Sequence, residues 1–376
     1  MLLKRLMLVL AGFAIACGIG EVAIRYLTRF HETTLAIFAH APDIPWQLRP
    51  DTHVTFTEYW GEFSVPVDIN SRGYRGAEFP LEPAPGTCRL LVMGDSFTFG
   101  HGVRAEETYV KVLERALNAG GGRAETINAG YASGYAPDTA LVYFRHRGLA
   151  LRPAIVLLGF FEGNDLSDEL DTAWPEVDEH GWPTRVTNSL DYIDTKGRVR
   201  TAEWLGMAGA RVPNQRALAA AKIALRDRSE FANFLLQRFR LFRAAHFPPR
   251  DQHPWPGLDP GLEWPPSPTD RAAEAKAHKS LDGLREWTRQ AGATLVVISI
   301  PEKGERKAST FLRAWSKTTD TPLIDLGASG DGQVGLYFVY DGHWTAEGQA
   351  RAGAHIADEL QRRGLLDSCH AQPLHQ

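Results

Sequence analysis

Cysteine is scarce in this chain, with three in 376 residues, at positions 17, 88 and 369. None stands in a CxxC or comparable metal-ligand spacing, so structural zinc and dithiol redox chemistry fall away. Cys88 and Cys369 could pair in an oxidising compartment, although two isolated thiols are more often unpaired. An excess of positive charge is also missing. Lys and Arg number 41 against 45 Asp and Glu, a net charge of −4, and no basic stripe of the kind that tracks a phosphate backbone is present. Nucleic acid is therefore excluded as an expected partner. No internal repeat is apparent. Hydrophobic residues are not lacking: at 44% they supply a full core and exclude disorder for most of the chain.

The N-terminus, "MLLKRLMLVLAGFAIACGIGEVAIRYL", places Lys4 and Arg5 ahead of an apolar run from Leu6 to Gly20. This is the pattern of an export signal. Extended to Leu27 it nears the roughly 20 residues that span a bilayer, so an uncleaved inner-membrane anchor with the catalytic domain in the periplasm or extracytoplasmic space is the leading expectation. Ala14-Ile15-Ala16 also fits a small-x-small cleavage site, and Cys17 after it is a candidate lipidated residue. Glu21 and Arg25, one helical turn apart, read as an interfacial pair.

Residues 28–87 carry alternating stretches, "THVTFTEYW" and "FSVPVDI", that predict a hairpin or edge strands in an N-terminal extension packed on the main domain. From residue 88 the pattern changes. The compact apolar runs "RLLVMG", "AIVLLGFF" and "TLVVISI" alternate with segments of helical spacing such as "TYVKVLERALN", which predicts a doubly wound, flavodoxin-like α/β domain with a parallel sheet covered on both faces. The domain is expected over 88–165 and 271–364, with a short tail at 365–376. Between the two halves lies a lid-like insertion, 166–270. It ends in a connector whose eight prolines between Phe247 and Pro268 forbid regular structure. Trp174, Trp182, Trp204, Trp255 and Trp264 lie in this insertion, where they read as the core of a small lid or as faces for sugar rings.

Ligands of an open parallel sheet sit beyond the carboxyl ends of its strands. "GDS" (94–96) falls at such an end, and so does "GND" (163–165). "YDGHWTAEG" opens the last helix and brings Asp341 and His343 to a loop within reach of the same rim. A serine hydroxyl becomes a nucleophile when an imidazole takes its proton and a carboxylate holds that imidazole in the right tautomer. Ser96, His343 and Asp341 supply the three groups. The backbone N–H of Ser96, a glycine N–H from "INAGYASGY" and the amide of Asn164 are candidate donors for an oxyanion. Asp95 and Asp165 read as structural, bonding loop backbone.

These four blocks, "GDSFTFG", "NAGYASG", "GND" and the Asp/His loop, resemble in motif and order the SGNH hydrolases, a branch of the GDSL esterases and lipases. The resemblance implies that Ser96 is the nucleophile, His343 the base, Asp341 its orienting acid, and Ser96, Gly134 and Asn164 the oxyanion donors, with Gly130 the alternative to Gly134. It implies no cofactor and no metal. The short spacing in "DGHW" resembles a branch working on cell-surface polysaccharides as O-acetyltransferases or acetyl esterases, and "INSRGYRG" with the hydrophobic N-terminus resembles membrane-tethered bacterial members. The expected activity is hydrolysis of acyl, most simply acetyl, esters of a glycan or lipid. The alternatives are O-acetyl transfer served by a membrane-bound O-acyltransferase partner, and a non-catalytic scaffold of a membrane complex.

Overall fold

Leu90–Met93, Ile155–Leu158 and Leu295–Ile298 are buried along their whole length, as strands covered by helices on both faces must be. The computed structural model describes residues 2–27, 37–39, 41–57, 62–131, 135–188, 192–193, 199–200, 229, 231–232, 234–235, 238, 268–303, 310–327 and 335–369. It begins with α1 (Leu2–Leu27), followed by a two-stranded ladder of β1 (Phe38–Ala39) and β2 (Gln47–Leu48) and an antiparallel hairpin of β3 (Thr52–Thr57) and β4 (Ser64–Ile69). The α/β unit then runs β5 (Cys88–Gly94), α2 (Ser96–Phe99), α3 (Tyr109–Asn118), β6 (Ala124–Gly130), α4 (Pro137–Tyr143), β7 (Ile155–Phe161) and α5 (Asp165–Asp171). Within residues 166–270 the described elements include the pair β8 (Thr172–Val177) and β9 (Pro183–Asn188) and the short ladder β10 (Tyr192–Ile193) and β11 (Val199–Arg200). The unit resumes with α6 (Pro268–Gln290), β12 (Thr294–Ile300), α7 (Thr310–Thr319), β13 (Leu323–Asp325) and α8 (Ala346–Arg362). The last proline of the connector opens α6, where its missing N–H costs nothing.

The five central strands are parallel and lie in the order β13-β12-β7-β5-β6. Numbered within the sheet this is 2-1-3-4-5, the doubly wound, flavodoxin-like order, with its reversal between β5 and β7. Side chains alternate between faces. Leu90 and Val92 meet Val110 and Leu113 of α3 and Ile356 and Leu360 of α8, while Leu91 and Met93 face the layer holding Leu141 of α4 and Leu281 of α6.

Three features differ from, or add to, what the chain pattern suggests. Cys88 at the start of β5 and Cys369 beyond α8 form a disulfide, with Cα atoms 5.0 Å apart, so the expectation of unpaired thiols is corrected. The turn after α8 packs Leu365, Leu366 and Cys369 against the same core layer as Cys88, and that brings the two sulfurs together. In α1, Lys4–Ile24 has a mean hydropathy of 2.2 and is long and apolar enough to cross a membrane. Its Glu21 accepts the Ser229 hydroxyl at 2.7 Å and the Phe231 N–H at 3.0 Å, while the Arg25 side chain lies outside the described residues. Of the insertion tryptophans, Trp174 donates to Asp138 at 2.7 Å and Trp182 packs against the core, its ring beside Gly283 of α6. Trp204, Trp255 and Trp264 lie outside the described residues.

Candidate active site

Close backbone approach at the strand ends seats Ser96. Gly94 has φ 151°, and a Cβ there would stand 2.3 Å from Thr98 Oγ1 and 2.8 Å from the Gly159 carbonyl. A Cβ on Gly130 would stand 2.3 Å from the Phe99 nitrogen. Glycines at these positions let the four-residue α2 sit directly on the ends of β5, β6 and β7. Asp95, not Ser96, caps this helix, accepting the Phe97 N–H at 2.9 Å. Ser96 is thereby left with its hydroxyl free for other chemistry, at 9% exposure.

The Asp341–His343 loop is held by an antiparallel bridge between Tyr337 and Trp344 and by the Phe338 N–H on the His343 carbonyl at 2.8 Å. Thr345 caps α8 by accepting the Gly348 N–H. Gly342, at φ 83°, makes the left-handed turn that folds Asp341 back on the ring two residues later. His343 Nδ1 donates to Asp341 Oδ1 at 2.6 Å. That bond fixes the tautomer, so Nε2 accepts the Ser96 hydroxyl at 2.7 Å. Burial alone would push the Asp341 pKa up, but the charges of His343 and His101 and their hydrogen bonds outweigh it and hold the carboxyl well below the usual range. Asp341 therefore faces the His343 ring as an anion.

Asn164 ends β7's loop at the same rim, next to the reversal in strand order. Its backbone is engaged, with its N–H on the Phe161 carbonyl at 3.4 Å and its carbonyl accepting the Asp168 N–H at 2.8 Å. Its buried side-chain Oδ1 has no protein partner. The Gly130 N–H is taken by Asn128 Oδ1 at 2.9 Å, and Gly134 lies outside the described residues. Asp165 accepts the Phe161 N–H at 3.2 Å. Burial raises the Asp95 pKa to about 6, against the Phe97 hydrogen bond and the His343 charge. Burial, then the Asp95 charge, pushes Asp165 well above the ordinary carboxylate value.

Four contributors escape a reading of motifs. His101, five residues after Ser96, places Nε2 3.6 Å from Asp341 Oδ2 and its ring centroid 4.6 Å from that of His343. Burial lowers its pKa in spite of the Asp341 charge and hydrogen bond. A histidine closing "GDSFTFGH" was the one available signal. Gln349 of α8 is fully buried, accepting the Tyr109 N–H at 2.7 Å and donating to the Phe97 carbonyl at 3.3 Å; it ties α8 to α2 and α3. Buried Arg75, within "INSRGYRG", donates to the carbonyls of Phe99, Gly100 and Val103 and so pins the turn that follows α2. Glu62 accepts backbone N–H groups of the Asp341 loop. His101, Asp341 and His343 each bring one potential metal-ligand atom within 4.8 Å of the others. Two of the three already bond to one another and to Ser96, so hydrogen bonding accounts for the cluster.

No protein-family model matches the sequence, and no curated protein matches it. Among solved structures the chain is similar to TesA, at 16% identity over 73% of this chain and 98% of that one, with a TM-score of 0.38. It is also similar to the lipase/acylhydrolase from Enterococcus faecalis, at 13% identity over 74% of this chain and 97% of that one, with a TM-score of 0.37. A third is the psychrotrophic esterase EstA from Pseudoalteromonas sp., at 14% identity over 74% of this chain and 98% of that one, again with a TM-score of 0.37.

Proposed function

We propose that this chain is a serine ester hydrolase of SGNH type, anchored in the membrane by α1 with its catalytic domain outside the cytoplasm, and acting on acetyl or other acyl esters of a glycan or lipid. The observation that carries the reading is the continuous Ser96–His343–Asp341 relay, at 2.7 and 2.6 Å. A disulfide between Cys88 and Cys369 supports an oxidising compartment.

In this reading Ser96 Oγ attacks the ester carbonyl while His343 Nε2 takes its proton, and Asp341 stabilises the imidazolium that results. The oxyanion is met by the Ser96 N–H, which α2 leaves without an intrahelical acceptor, and by the Asn164 side-chain amide. A glycine N–H, Gly134 by the family pattern, is the third donor. His343 returns the proton to the departing alcohol, leaving an acyl-serine. Water then releases the acid with His343 as base, or a sugar hydroxyl takes the acyl group in its place.

The test is full-length protein in detergent with p-nitrophenyl acetate and a glycan acceptor, following both free acetate and acetylated sugar. Ser96→Ala is expected to lose about 10⁴-fold or more in kcat. Acetate alone identifies a hydrolase, and Ser96-dependent acetylated sugar identifies a transferase. Equal rates in the wild type and Ser96→Ala, together with no labelling by a fluorophosphonate, would remove the catalytic reading and leave a scaffold.

A further inference from the structure

The catalytic reading assigns no task to Glu62 and Phe63, just ahead of β4, yet these two residues reach the surroundings of Asp341. Glu62 Oε1 accepts the N–H of Val339 at 2.6 Å, and its Oε2 accepts the N–H groups of Tyr340 at 2.9 Å and Asp341 at 2.8 Å. Three successive backbone donors therefore converge on one carboxylate, and the last belongs to the residue that orients His343. We propose that Glu62 is a positioning residue for the triad, fixing the Asp341 backbone so that its carboxylate stays on His343 Nδ1. The proposal rests on the catalytic reading given above.

Burial does not hold this stretch. Val339 is 55% exposed and Tyr340 37%, so polar bonds must fix it. Lys303 also bonds this backbone, to the Phe338 and Val339 carbonyls at 3.4 and 3.3 Å. These are longer than the Glu62 bonds and stop short of Asp341. An ionised acceptor makes shorter and stronger hydrogen bonds than a neutral one, and three on one carboxylate set both the position and the direction of the loop. The neighbouring residue acts on the other side of Asp341. The Phe63 ring lies 5.3 Å from that of His101 and 5.0 Å from that of Phe338, and His101 faces Asp341 Oδ2 at 3.6 Å. Residues 62 and 63 thus hold Asp341 from its backbone and from its outer oxygen. Catalytic groups work only within about half an ångström of their productive geometry, and Asp341 lies on a loop with no regular structure of its own to guarantee that.

The test compares wild type, Glu62→Gln and Glu62→Ala as full-length proteins in detergent. The Gln variant keeps the shape but turns an N–H₂ toward at least one of the three donors. Two readouts are taken: kcat and KM on p-nitrophenyl acetate per fluorophosphonate-titrated site, and the far-downfield proton resonance of His343 Nδ1–H, assigned with His343→Gln. The expected result is a fall in kcat of about 10- to 100-fold with KM within about twofold, together with an upfield move or loss of the Nδ1 proton in protein that still melts cooperatively. An unchanged Nδ1 resonance, or fewer titratable sites at an unchanged kcat per site, overturns the proposal. Should Glu62→Ala fail to fold, Glu62→Gln decides alone. Should wild type and Ser96→Ala prove equally inactive, the hydrolase reading falls, while the resonance comparison still decides whether Glu62 positions Asp341.

Discussion

Replacing Asp95 with Asn should make the protein more stable at pH 8 and no more stable at pH 4. Asp95 is wholly buried. One of its oxygens caps α2 and the other has no protein partner. Burial raises its pKa from the ordinary 3.8 to about 6, opposed by the Phe97 N–H and the charge of His343. Because the folded-state value lies above the unfolded one, the folded protein holds the proton more tightly. The stability this supplies is complete below about pH 4 and is lost as pH rises through 6. The gap between the two values is worth roughly 3 kcal/mol, a ceiling on what the ionised side chain costs at pH 8. Asn removes the ionisation and keeps a good capping oxygen. Urea unfolding followed by tryptophan fluorescence at both pH values should show a gain of about 1–3 kcal/mol at pH 8 and a change near zero at pH 4. An equal change at the two pH values, or a loss at pH 8, would refute the electrostatic account of this site.

Further changes probe the frame around Ser96 and His343. Gly342→Ala places a Cβ at φ 83°, a cost of about 1–2 kcal/mol. Because that turn sets the Asp341–His343 bond, kcat should fall more than stability does, which parallel melting curves and p-nitrophenyl acetate kinetics would show. Arg75→Leu strands the carbonyls of Phe99, Gly100 and Val103. It should destabilise by roughly 3 kcal/mol or more and slow fluorophosphonate labelling of Ser96, with Arg75→Lys recovering only part because a single ammonium does not reproduce the guanidinium fork.

The sheet was legible because its strands are continuous apolar runs while α3 and α8 keep a helical period, two patterns that local chemistry alone imposes. Ser96 and Asn164 stood out for a related reason: each closes a short polar cluster at the end of an apolar strand, where a parallel sheet exposes its strand ends, while Asp341 and His343 stood out by their own motif just before α8. What stayed hidden depends on distance along the chain. Glu62 meets Asp341 across 279 positions, Gln349 meets Tyr109 across 240, and Cys88 meets Cys369 across 281. No local period or spacing encodes such meetings; they exist only once the sheet has placed its helices and the β3–β4 hairpin has come to rest beside the site. Arg75 is a milder case, since its motif was visible but its three carbonyl acceptors were not. The fully buried Asp95 was read as structural, bonding loop backbone; it bonds backbone, but that of α2, which it caps, and its raised pKa follows from a depth that sequence does not display.

The Cys88–Cys369 link turns everything between those positions into a covalent ring, and Ser96, Asn164, Asp341 and His343 all lie on it. A protease that nicks the chain once anywhere inside the ring opens it without releasing a fragment. The nicked molecule would run as one species without reductant and as two with it, and Ser96 and His343 would stay tethered even on separate polypeptides. A change in the protein's behaviour after such a cut would then report damage at the cut itself, not the parting of Ser96 from His343.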